Sequence, residues 1–140
     1  MRASKVNAGH GHDELISPVA DDLLTTSCLA REEVPYHLQH YVADIATWRQ
    51  QVELMLHYAA WLQSQGRDCG MESSMLKVMA SDYAVQAADL GIQIMGGMGY
   101  SAETDMQRYW RDARLFRIGP VTNEMARNTL AEGLGLPRSF

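Results

Sequence analysis

The sequence predicts an all-α protein, an up-and-down antiparallel helical bundle, and three observations carry that prediction. Two long stretches, about residues 35 to 65 and 71 to 95, repeat their apolar side chains at the helical period. Each stretch runs into glycine, at Gly66 and at Gly96-Gly97, the residue that ends helices most readily. Nowhere do apolar and polar residues alternate with the period of two that a half-buried strand requires. A chain of 140 residues buries one ordinary core, so a single folded domain is expected.

In chain order, residues 1 to 16 are small, polar and aperiodic and read as a flexible N-terminal tail, with the bundle occupying 17 to 140. Within the tail His10, His12 and Asp13 are chemically able to ligate a metal, but without a third spaced ligand in a packed shell they read as solvated, and no metal is expected. Ser17-Pro18 suits a helix cap and first position, which predicts a short helix over about Val19 to Thr25. Leu38, Val42, Ile45, Trp48 or Arg49, Val52, Met55 or Leu56, Ala59 and Leu62 then mark the inner face of the first long helix. His37 and His40 near its start are read as packing or surface residues beside Tyr36 and Tyr41. In the second long helix the expected apolar face is Met75, Val78 or Met79, Ala84 or Val85, Ala88 and Ile92, with alanine and methionine permitting close, adaptable packing. A short turn makes the two long helices antiparallel neighbours.

The stretch Gly91 to Met125 is the densest in signals. A helix leads into Gly96-Gly97-Met98-Gly99, whereas a dinucleotide fingerprint needs a strand before its GxGxxG, so a Rossmann reading is excluded. Gly96-Gly97 instead allows positive φ and close approach of another chain or a ligand. Thr104 followed by Gln107 predicts a capping box for a helix running to about Arg114. A turn at Gly119-Pro120 follows, then a last helix starting at Thr122 or Pro120 and stopping at Gly133, with Pro137 beyond.

Composition narrows the function classes. A net charge of −5 disfavours nucleic acid and anionic membranes as partners. Arg108, Arg111, Arg114 and Arg117 recur every third residue, but Glu103, Asp105 and Asp112 sit among them, which predicts a salt-bridged surface or subunit contact. Cys28 and Cys69 are too far apart in sequence for a CxxC unit, so reduced thiols are expected. No stretch has the apolar run of a signal peptide or a transmembrane helix, which predicts a soluble, cytoplasmic protein.

Three ordered motifs resemble one family. Gln93-Ile94-Met95-Gly96-Gly97-Met98-Gly99-Tyr100, then Arg111-Asp112-Ala113-Arg114, then Thr122-Asn123-Glu124 are similar to the C-terminal helical domain of the FAD-dependent acyl-CoA dehydrogenases. The resemblance spans about residues 34 to 140, the last third of a family member. It implies α,β-dehydrogenation of acyl-CoA thioesters as the activity of the whole enzyme, with FAD as cofactor and acyl-CoA as substrate. By the same resemblance Gln93, Gly96 and Gly97 would contact the pyrophosphate and ribose of a neighbouring subunit's FAD, and Thr122 and Glu124 the adenine end of a flavin. The chain would then be a homo-oligomer, or a hetero-oligomer with an acyl-CoA dehydrogenase-type subunit. Trp110, Leu115 and Phe116 are the expected exposed apolar residues of such a contact.

Two departures from the family pattern bear on chemistry. The family's Tyr-Glu-Gly-Thr segment, whose glutamate removes the α-proton, reads Gly119-Pro120-Val121-Thr122 here, and proline cannot act as a base. The family's Arg-x-x-Phe-Gly element, a flavin phosphate contact, would fall near Thr25 to Leu29, which reads Thr-Thr-Ser-Cys-Leu. Together they predict a flavin-contacting C-terminal part that is inactive in isolation. The alternative is a non-catalytic helical oligomerisation module derived from the family.

Overall fold

A computed structural model describes residues 35–138, and among them there are only helices, turns and irregular segments. Five helices follow one another: α1 Tyr36–Ser64, α2 Gly70–Met95, α3 Gly97–Tyr100, α4 Met106–Phe116 and α5 Asn123–Gly133. The tail, the short helix at Val19, Cys28 and the Thr25–Leu29 segment lie outside the described residues.

α2 is the spine: α1, α3, α4 and α5 all pack on it, while α1 and α5 touch no other helix. The partners of single residues fix the directions. Trp48 of α1 stacks on Tyr83 of α2, and Leu54 and Met55 share a groove with Met79, so α1 runs antiparallel to the spine. Met106, at the start of α4, lies against Gly91, whereas Lys77 donates to the carbonyl of Phe116 at the end of α4. Asn123, at the start of α5, reaches Ser81 and Asp82, and Gly133 at its end abuts Met71. α4 and α5 therefore run in the same direction, end to end. They form one antiparallel rod of the bundle, broken at residues 117–122.

The core is built of small residues from the spine and larger ones from its partners. Ala80, Ala84, Ala87, Ala88 and Gly91 are buried along α2, facing Ile45 and Val52 of α1 and Met106 and Ala113 of α4. Small side chains let α1 and α4 approach the spine closely, and the methionine fills what remains. The face expected for α1 is the one used, with Ile45, Val52, Ala59 and Leu62 buried. On α2 the expected face is displaced by one residue at its start, for Leu76 is buried while Met75 is 39% exposed.

The helix ends also correct several expectations. Gly66 adopts φ 67°, and its N–H and that of Arg67 return to the carbonyls of Gln63 and Leu62, the double hydrogen bond that closes a helix on glycine. At the end of α5 that role belongs to Gly135 (φ 88°), not to Gly133. Gly133 stays helical because a Cβ there would collide with the sulfur of Met71. Thr104 does not cap α4: its hydroxyl donates to the Met98 carbonyl at 2.9 Å, α4 begins two residues later, and Asp105 precedes it without a capping side chain. Gly96 does stop α2 with φ 59°, yet Gly97, expected to share in that stop, immediately begins the single turn α3. Pro120 lies before the last helix, whose cap is Thr122.

Candidate functional site

Of the residues singled out from sequence, Gln93, Gly96 and Gly97 share the C-terminal end of α2. All three are exposed, and no hydrogen bond engages the Gln93 amide within the described residues. A Cβ built on Gly96 or Gly97 would meet nothing within 4 Å, so the backbone there is open to an approaching group. Two residues on, the geometry reverses. A Cβ on Gly99 would lie 2.9 Å from Cβ of Met95 and 3.0 Å from Cα of Ile92, so this glycine serves the packing of α3 onto α2.

Thr122 and Glu124 form a second, separate group at the break between α4 and α5. The Thr122 hydroxyl accepts from the Met125 N–H at 3.2 Å, capping α5. Glu124 is held below the usual carboxylate range chiefly by its own backbone N–H, with help from Thr122 and from the positive charges of Arg127 and Arg117. It is therefore an ionised acceptor at the helix start. Pro120 is exposed in the same break, beside exposed Ile118 and Val121, and offers no proton acceptor.

The two groups are not one site within the chain. Thr122 sits at the level of Asp82 on the spine, eleven residues from Gln93, which is about 16 Å along a helix axis at 1.5 Å per residue. Each group is thus a separate patch of surface.

What holds the break in place was missed from sequence. Asp82, only 23% exposed at its side chain, receives Arg117 Nε at 2.9 Å and Asn123 Nδ2 at 3.1 Å on one oxygen, and Arg127 Nη2 at 2.8 Å on the other. Asn123, 1% exposed, accepts from Ser81 at 2.8 Å and from Lys77 at 3.3 Å. Burial pushes the Lys77 amine below its ordinary range, against the opposing pull of Asp82 and Glu124. Among the described residues no buried side-chain polar atom lacks a partner. A signal existed: Lys77, Ser81 and Asp82, at i, i+4 and i+5, interrupt an otherwise alanine-rich face of the spine.

The arginine stripe splits. Arg108 pairs with Asp105 at 3.3 Å, as expected of a salt-bridged surface, but Arg117 turns inward to Asp82. Arg111 and Arg114 are exposed. Of the apolar residues beside them Trp110 is 37% and Leu115 62% exposed, whereas Phe116 is half-buried and does not belong to the exposed set. His37 and His40 are exposed and make edge contacts with Tyr41 and Tyr36. Cys69 is a free thiol at the start of α2. Among the described residues no cluster is able to hold a metal ion, and no helix is long and apolar enough to cross a membrane.

Comparison with known proteins decides the family. The family model described as acyl-CoA dehydrogenase, C-terminal domain, matches residues 35–135. The chain belongs to the acyl-CoA dehydrogenase family. Over 93 residues it is 40% identical to an acyl-CoA dehydrogenase of Bacillus subtilis, covering 66% of this chain and 24% of that protein. Among solved structures, a probable acyl-CoA dehydrogenase from Mycobacterium abscessus superposes with a TM-score of 0.81 at 25% identity, over 89% of this chain and 34% of that one. The FAD complex of PigA superposes at 0.79 with 27% identity, over 86% and 33%. The chain thus spans about a quarter of the length of the curated relative. The matched part contains α1 to α5 and both groups of candidate residues.

Proposed function

We propose that this chain is the C-terminal, cofactor-contacting part of a FAD-dependent oxidoreductase that dehydrogenates acyl-CoA thioesters between Cα and Cβ, and that it is inactive on its own. The observation that carries the proposal is the end of α2, where an unengaged amide and two open glycines coincide with the family's glutamine-glycine motif. An amide N–H and accessible backbone N–H groups suit a diphosphate without a net positive charge. A bound flavin would supply the electron acceptor for the dehydrogenation. Gln93, Gly96 and Gly97 would hold its diphosphate and ribose, and Thr122 and Glu124 its adenine end.

Glu124 modifies that assignment. An ionised carboxylate accepts and does not donate, so its fitting partner is a ribose hydroxyl or an adenine amine, not a phosphate. The separation of the two groups along α2 supports the reading in which one cofactor is contacted by two copies, or by this chain and an acyl-CoA dehydrogenase-type subunit. Exposed Trp110, Leu115, Leu54 and Trp61 provide apolar surface for such an assembly. A cytoplasmic location accords with this reading.

The proton acceptor is the missing part. Pro120 stands where the family's glutamate would, and a positioned base is worth about 10² to 10⁴ in rate. Its replacement, Pro120→Glu, does not restore turnover in the isolated chain, because the walls that orient a thioester lie in the part of the relatives that this chain does not span. The test is anaerobic bleaching of flavin absorbance by a panel of acyl-CoAs. The expected result is no bleaching with the chain alone or with Pro120→Glu alone, and bleaching on co-production with an acyl-CoA dehydrogenase N-terminal part when a base is present, supplied by that part or by Pro120→Glu. Bleaching by the unmodified chain alone would overturn the proposal.

A further inference from the structure

The break in the second antiparallel rod is strapped to the spine by a set of contacts far denser than helix packing requires. Asp82 receives three donors, and each comes from a different level around the break: Arg117 just after α4, Asn123 at the first position of α5, and Arg127 one turn further on. From one turn away on the spine, Lys77 donates to the Phe116 carbonyl and to Asn123, and Ser81 also donates to Asn123. Across the break, the Asn123 N–H returns to the Arg117 carbonyl at 3.1 Å. Both ends of the segment containing Pro120 and Thr122 are therefore fixed to one face of α2.

We propose that Asp82 is a positioning residue, whose carboxylate sets the conformation of the 117–122 break and thereby the places of the Thr122 hydroxyl and the Glu124 carboxylate. The inference rests on the reading of those two groups as flavin contacts. Charge-assisted hydrogen bonds to a half-buried carboxylate are the strong ones, and here three share one acceptor. Without the Asp82 charge, Arg117 and Arg127 lose the ion pairs that tie the break and the start of α5 to the spine. Asp82 itself touches no ligand in this scheme.

The test compares the full-length chain with Asp82→Asn and Asp82→Glu, and with Val52→Ala as a control that loosens the core between α1 and α2. Hydrogen exchange read by mass spectrometry is the first measurement. In Asp82→Asn, amides across 117–125 are expected to exchange at least about tenfold faster while those of α1 keep their rates. The second measurement is FAD affinity by flavin fluorescence. It is expected to fall by at least about tenfold in Asp82→Asn, to recover in part in Asp82→Glu, and to stay unchanged in folded Val52→Ala. A uniform rise in exchange over all helices would make Asp82 a general stabilising residue and overturn the inference. So would wild-type affinity in folded Asp82→Asn. Absence of FAD binding by the wild-type chain would instead overturn the flavin reading beneath it, and the two failures are distinguishable.

Discussion

Two regions of the same helix, α2, have opposite characters. Around Lys77, Ser81 and Asp82 every polar group is engaged, one buried asparagine meets three partners, and two arginines converge on a single carboxylate. At Gln93, Gly96 and Gly97 the side chain and backbone face solvent with nothing built against them. The first region satisfies its chemistry inside the fold, and the second is open to solvent. A polar residue that the fold has already used is a poor candidate for binding, whereas an exposed one with no partner in the fold is available to a ligand as well as to water.

Substitutions on the two sides of this contrast should separate cleanly. Asn123→Ala carries the largest expected cost, about 3 kcal/mol, because it empties a buried polar position, removes one acceptor from Ser81 and Lys77, which keep only backbone carbonyls, and removes a donor from Asp82. Urea denaturation checks it. Gly99→Ala should cost about 2 kcal/mol, since its Cβ has no room against the backbone of Ile92, while Gly97→Ala, two residues away in open space, should change stability by less than about 1 kcal/mol. Equal effects at the two glycines would remove the distinction between packing glycine and open glycine. Thr122→Ala loses the cap of α5 and should cost about 1 kcal/mol.

Smaller still is Gln93→Ala, an exposed position where the change should stay within about 0.5 kcal/mol. On stability, Glu124→Gln should act through its pH dependence. The folded-state pKa of Glu124 lies below the ordinary carboxylate value, so its contribution is present above that value and is lost as pH falls through the lowered one. Thermal melts from neutral to acid pH should therefore fall less steeply in Glu124→Gln than in wild type. An identical slope would show that Glu124 is not held by its surroundings.

How much of this was legible in the sequence depends on which interactions are local. The long helices were, because apolar spacing reports which side of a helix is buried, and Gly66 and Gly96 report where it ends. The expected face of α1 needed no correction. Met75 is half-exposed because Leu76, its neighbour in sequence, takes the place in the core cluster with Ile45, Val52 and Met106, a choice made by contacts that form only in the folded chain. Gly133 was read as a stop because a glycine near a helix end carries the same local signal whether it is needed for positive φ or for lack of a Cβ. The collision with Met71 that distinguishes them comes from residues 62 positions apart. Thr104 fits a capping pattern, yet the carbonyl of Met98 competes for its hydroxyl.

For the candidate site, Gln93, Gly96, Gly97, Thr122 and Glu124 are marked by motif, and the structure adds that they fall into two separate groups, one at the end of α2 and one at the break before α5. The network behind the second group was not legible. Lys77, Ser81 and Asp82 meet Asn123 only through contacts about forty residues long in sequence, and a lone aspartate among alanines gives no hint of its three partners.

The central claim is that this domain contacts FAD through residues contributed by more than one copy. It is tested most directly by titrating FAD into the purified full-length chain at two protein concentrations that straddle its self-association, measured in parallel by sedimentation. The account predicts saturable flavin binding that is carried by the associated form and weakened by Gln93→Ala and by Thr122→Ala separately. A chain that remains monomeric at every concentration, or one that associates and leaves the flavin spectrum unchanged, would contradict it.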